Sequence, residues 1–122
     1  MLPELSFTIL EITGEEKDLK DFKYLAQGFD PNIFGRLSFN DICLNNFIPL
    51  PDYVINGQSQ ILLEKHRMKA WGISTDSLGA SLKQKKGKLI YSFCTGSGIP
   101  YPVFEEMKRQ FKTLKFSHKV IS

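Results

Sequence analysis

From residue 5 to residue 12 the chain is apolar on both alternating phases, with Phe7 and Ile9 on one and Leu10 and Ile12 on the other. β-Branched and large apolar side chains at this density predict a strand. Neither phase is left polar, so its expected place is the middle of a sheet. Thr13-Gly14 stops it. The period then changes: Leu19, Phe22, Leu25 and Ala26 recur at helical spacing, while Lys17, Asp18, Lys20 and Asp21 fill the opposite side. Thr13 and Glu16 stand at capping-box spacing ahead of that helix, and Gly28 is its expected terminator.

Downstream the pattern is more broken. Residues 29–36 read as a loop around Asp30-Pro31-Asn32, and residues 37–44 as an extended stretch interrupted at Asn40-Asp41. In Asn46-Phe47-Ile48-Pro49-Leu50-Pro51 each proline pushes the residue before it away from helical geometry, so no helix is expected there. A short helix is predicted over residues 58–69, carrying Ile61, Leu62 and Met68 inward. Leu78, Ala80 and Leu82 then alternate with Gly79, Ser81 and Lys83. Residues 88–95 return after the polar turn Gln84-Lys85-Lys86-Gly87, which predicts a hairpin. Gly96-Ser97-Gly98 breaks it.

Pro102 suits a first helical turn, Glu105 and Glu106 favour its positive end, and Val103, Phe104, Met107 and Phe111 form an apolar stripe. Leu114, Phe116, His118 and Val120 alternate with Lys115, Ser117 and Lys119, giving a last strand with one wet face. The sum is one α+β domain over residues 1–122. Its expected form is a ferredoxin-like (split β-α-β) sandwich: two main helices on one face of an antiparallel sheet, plus a short extra helix.

Four pieces of the chain, in this order, resemble the YubB-like family of ferredoxin-like domains carried by phages and plasmids. They are Leu10-Glu11-Ile12-Thr13-Gly14; Asn46-Phe47-Ile48-Pro49-Leu50-Pro51; Ala70-Trp71-Gly72 with Asp76; and Tyr91-Ser92-Phe93-Cys94-Thr95 running to Pro100. With Val103-Phe104 and the closing strand, the resemblance spans nearly the whole chain. The family continues its Trp-Gly with Thr-Lys-Trp-Asp and its Thr with Ala-Trp-Ser-Pro-Pro. Here those stretches are Ile73-Ser74-Thr75-Asp76 and Gly96-Ser97-Gly98-Ile99-Pro100, so two aromatics and a lysine of the family pattern are absent. The resemblance implies a mobile-element origin and the fold, and no activity.

Composition sets limits. With 42% hydrophobic and 24% charged residues, and ten Phe, four Tyr and one Trp, the chain can build a core without covalent staples. Cys43 and Cys94 fit no metal or redox spacing and are expected as thiols. No apolar run reaches bilayer length, and Met1-Leu2-Pro3-Glu4 lacks secretory character, so a cytoplasmic location is expected. The net charge of +3 is unevenly spread. Residues 1–60 hold four Lys/Arg against nine Asp/Glu, and residues 61–122 hold twelve against four. Two solvated faces of opposite sign are the favoured explanation, with a nucleic-acid surface as the other.

Catalytic chemistry finds little support. His66 and His118 share no metal-ligand spacing with other candidates, so neither metal nor cofactor is expected. A Cys94–His118 nucleophile–base pair would need neighbouring strands and has no third orienting group. Thr95-Gly96-Ser97-Gly98 lacks a Walker lysine, and Pro100 and Pro102 remove N–H donors that a phosphate would want. Lys86-Gly87-Lys88-Leu89-Ile90-Tyr91-Ser92-Phe93 lies where an RNA-recognition motif keeps its signature. It places Lys88 and Ile90 at the two base-stacking positions, which removes most of the stacking energy, about 1–3 kcal/mol per base. Salt-sensitive contact through Lys83, Lys85, Lys86 and Lys88 is what remains of a nucleic-acid reading.

Two other surfaces stand out. Trp71, Asp76, Thr95, Pro100 and Tyr101 are the candidate lining of a cleft at the end of the hairpin, with a core position the favoured reading of Trp71 itself. Ile90 and Cys94, with either Phe7 and Ile9 or Leu10 and Ile12, are expected on the uncovered sheet face, and Phe7, Ile90 and Cys94 are the candidate self-association patch. The chain is accordingly expected to be a non-enzymatic binding module for a protein partner or a second copy, with no membrane role. Nucleic-acid binding through the basic hairpin and second main helix is the alternative, and a small enzyme without a recognisable motif comes third.

Overall fold

The computed structural model describes residues 5–33, 36–57 and 59–121, the side chains of residues 29–38 excepted. Four strands make the main sheet: β1 (Leu5–Thr13), β4 (Leu78–Lys85), β5 (Lys88–Gly96) and β6 (Lys115–Ile121). They lie side by side in the order β4-β5-β1-β6, every neighbouring pair antiparallel. A separate ribbon pairs β2 (Gly28–Ile33) with β3 (Arg36–Asn40). Four helices complete the α+β fold: α1 (Glu16–Ala26), α2 (Asp52–Ile55), α3 (Gln60–Trp71) and α4 (Tyr101–Gln110), with a 3₁₀ turn at Leu44–Asn46.

One phase of each central strand faces the helices. Leu10 and Ile12 of β1 and Leu89, Tyr91 and Phe93 of β5 are buried against Leu19, Phe22 and Ala26 of α1 and Val103, Phe104 and Met107 of α4. Phe22 is the centre of an aromatic cluster, with ring centroids 5.2 Å from Phe47, 5.1 Å from Phe111, 5.7 Å from Phe116 and 5.9 Å from Tyr91. The expected central strand, first helix, hairpin, second main helix and last strand all form.

Several local expectations do not. The stretch read as a loop around Asp30-Pro31-Asn32 lies in β2, although its residues 34–35 are outside the described set. Pro31 fits because the ladder is irregular between Asp30 and Ile33, where a missing N–H costs no regular bond. The extended stretch at 37–44 stops at Asn40, and Leu44 already begins the 3₁₀ turn.

The expected capping box is also absent: Glu15 is the N-cap of α1 and makes no side-chain cap bond. Glu16 instead accepts from the backbone N–H of Gly87, tying the helix start to the hairpin turn. Gly28 opens β2 rather than capping α1 in a left-handed conformation, and it is small for another reason. A Cβ there would sit 3.3 Å from both Cys43 Sγ and Asn46 Nδ2.

In α3 the buried side is not the expected one. Ile61 is 72% exposed, Leu62 and Met68 are exposed, and Leu63 and Trp71 are the buried residues. The expected start at Gln58 is outside the described residues, and Ser59 caps the helix by accepting from Leu62 N–H. Leu25 of α1, expected inward, is exposed as well.

Candidate interaction face of the sheet

The helices α1 and α4 pack against one face of the main sheet, and the alternate phase of each strand points to the other. Cross-strand register sorts those outward residues into four rungs. The first runs Leu78–Cys94–Phe7–Ile121 and the second Ser81–Ser92–Ile9–Lys119. The third is Lys83–Ile90–Glu11–Ser117 and the fourth Lys85–Lys88–Thr13–Lys115. One end of the face is therefore apolar and the other cationic. Phe7 is 36% exposed in the first rung, and Leu5 and Ile121 beside it are exposed too. Glu11 is the single carboxylate of the rungs, 3.9 Å from Lys88 Nζ, against five lysines.

The three residues expected on the uncovered face are all there. Phe7 lies directly opposite Cys94, and Ile90 is two rungs away. The sequence left open whether Phe7 and Ile9 or Leu10 and Ile12 would point outward; Phe7 and Ile9 do. Lys83, Lys85 and Lys88 share this face, with Lys86 in the adjoining two-residue turn. Cys94 and His118 do not meet. β1 lies between their strands, and Cys94 belongs to the outward phase while His118, level with buried Leu10, belongs to the inward one. His118 instead packs on the rings of Tyr101 and Phe104 at centroid distances of 5.5 and 5.2 Å.

Of the five residues expected to line a cleft, four are buried or tied into structural hydrogen bonds. Trp71 is 1% exposed, and its indole N–H donates to the Ile48 carbonyl at 2.9 Å. Asp76 accepts from the backbone N–H groups of Leu44 (2.7 Å), Asn45 (3.3 Å) and Ser77 (2.6 Å), so its carboxylate anchors the 3₁₀ turn. Thr95 is buried and donates to the Gly98 carbonyl at 2.6 Å; Pro100 is buried at the start of α4. Tyr101 alone of the five is exposed, over His118. The Gly96-Ser97-Gly98 turn is closed by Gly96 N–H donating to Thr75 Oγ1 at 2.9 Å and by Ser74 N–H donating to the Gly96 carbonyl at 3.0 Å.

Sequence reasoning missed half of the outward face. Leu78 was placed in phase with Ala80 and Leu82, but a bulge between Leu78 and Ser81, with Gly79 at φ 59°, turns Leu78 to the side of Cys94. A glycine inside a strand pattern was the available signal. Lys115, Lys119 and Ile121 lay in plain view on the wet phase of β6 and were not joined to the patch.

On the covered face, burial raises the Tyr91 hydroxyl well above its ordinary pKa, the nearby Asp41 charge adds to it, and the oxygen has no hydrogen-bond partner among the described residues. No group of three or more potential metal ligands is found among the described residues, and no described helix is long and apolar enough to cross a membrane. No family model matches the chain, nor does any curated protein or solved structure.

Proposed function

We propose that the chain is a non-enzymatic interaction module that meets a protein surface, a second copy of itself, through the apolar end of its uncovered sheet face. The observation that carries this reading is the rung Leu78–Cys94–Phe7–Ile121, apolar across all four strands and flanked by exposed Leu5. A contiguous apolar strip on the sheet face away from α1 and α4 is the kind of surface that oligomer interfaces use. The lysines of the fourth rung would repel one another if two faces overlapped fully. Two copies therefore meet at their apolar ends, related by a two-fold axis along the first rung.

A ferredoxin-like connectivity belongs to the same proposal. Counting main-sheet strands alone, the order is 2-3-1-4, and α1 and α4 follow the first and third strands on one face. That order supports a split β-α-β sandwich, and with it the YubB-like resemblance and its mobile-element, cytoplasmic setting. Sedimentation equilibrium of the full chain tests the self-association. The expected result is a monomer–dimer equilibrium that Phe7→Glu abolishes without loss of the far-ultraviolet circular-dichroism signal. A wild-type chain that stays monomeric at every concentration overturns it.

A further inference from the structure

A groove of about 310 Å³ lies between α1 and the edge of β4, lined by Glu16, Leu19, Lys20, Lys23, Gln84, Lys85 and Leu89. Three lysines are among its lining residues, and its one carboxylate, Glu16, accepts from the Gly87 N–H. Lys85 belongs to two surfaces at once: it lines this groove and also opens the cationic fourth rung of the bare face. From the groove the positive charge thus continues round the edge of β4, past Lys86 in the turn, to Lys88 and Lys115. Of these lysines, only Lys88 has an ion-pair partner within 4.0 Å among the described residues.

We propose that this belt, Lys20–Lys23–Lys85–Lys86–Lys88–Lys115, is a track for the phosphate backbone of a single-stranded nucleic acid. A small anion would need one focus of charge, whereas these positions run from one layer of the fold to the other. Only a polymer with repeating charge meets them all. Duplex DNA, with a persistence length of about 50 nm, does not bend round an edge one strand wide, and a single strand does. The groove lining contains no aromatic ring, so bases have nothing there to stack on. Binding is therefore blind to base identity and steeply dependent on salt, with log affinity falling by about 0.7 per phosphate contacted for each unit of log salt.

The proposal uses residues away from the apolar rung and stands or falls separately from self-association. The test is fluorescence anisotropy of a labelled oligothymidylate with the full chain across a salt series. A mixed-sequence strand, a duplex of equal length and an oligoglutamate peptide serve as competitors. Lys20→Glu with Lys23→Glu is expected to weaken binding at least tenfold and flatten the salt slope. Lys65→Glu with Lys69→Glu on α3 carries the same charge change and leaves both nearly unaltered. Phe7→Ser keeps oligonucleotide binding whatever it does to the dimer. Three results overturn the idea: equal losses in the two double variants, a duplex that competes as well as the single strand, or oligoglutamate that displaces the strand at equal charge concentration.

Discussion

Strand β5 carries two surfaces with different fates. Leu89, Tyr91, Phe93 and Thr95 are buried, while Lys88, Ile90, Ser92 and Cys94, each one residue away, look outward and are half-buried. The inner phase is uniformly bulky or hydrogen-bonded because helices must pack on it. The outer phase grades from Cys94 to Lys88, and nothing in the fold's own packing requires that gradient. Where packing does not explain a pattern, recognition is the remaining reason to look for, and the two rows of one strand separate stability from function.

That separation is sharpest at the aromatics. Trp71→Ala is expected to cost about 3–5 kcal/mol, because it opens a cavity and orphans the Ile48 carbonyl. Phe7→Ser should cost about 1 kcal/mol or less while removing self-association. Urea denaturation of both variants measures this, and similar losses would break the distinction between the faces.

Next in size, Asp76→Ala removes the acceptor of three backbone N–H groups and is expected to destabilise by about 2 kcal/mol. Asp76→Asn, which keeps one oxygen, should lose less. If binding rather than stability changed in either variant, Asp76 would return to the candidate site.

Tyr91→Phe sharpens the inner row. Its hydroxyl is buried without a partner among the described residues, so its removal is expected to be neutral or to stabilise by about 1 kcal/mol at neutral pH. A folded-state pKa raised by burial means that the fold favours the protonated phenol. The contribution is fully present below the unfolded value, about 10, and is lost as pH rises above it. Thermal melts in alkaline buffers should show the wild type weakening more steeply than Tyr91→Phe.

The smallest effect belongs to the Glu106–Arg109 pair on α4, in which Arg109 is exposed and Glu106 half-buried. The Arg109 hydrogen bond holds Glu106 below the usual carboxylate range. Its contribution is present above that range and disappears as pH falls through the lowered value. Glu106→Gln should shift the melting midpoint at the edge of detection at neutral pH and not at all in acid.

The resemblance-bearing motifs show why a site is harder to read than a fold. From the sequence, Asn46-Phe47-Ile48-Pro49-Leu50-Pro51 is only a non-helical stretch, and Trp71 and Asp76 are candidates for a cleft. In three dimensions they fasten to one another and to the helices. Asn46 Nδ2 donates to the Leu25, Ala26 and Gln27 carbonyls at the end of α1, Trp71 holds Ile48, and Asp76 holds Leu44 and Asn45. They are the joints of a long connection between α1 and β4. A joint and a binding residue use the same polar groups, and only the partner's position tells them apart.

The amino-acid order by itself determined the periodic elements: a doubly apolar strand, two amphipathic helices and a hairpin. Those follow from rules local to a few residues, such as side-chain period and the φ freedom of glycine. Tertiary structure decided what no local rule reaches. It set which phase of β1 the helices cover and turned Leu78 outward at the Gly79 bulge. It tied Trp71 to Ile48, brought Lys20 and Lys23 of α1 into one groove with Lys85, and set Lys115 in the rung of Lys85 and Lys88. Each of these depends on which segments pack together, and packing is chosen by the whole chain at once.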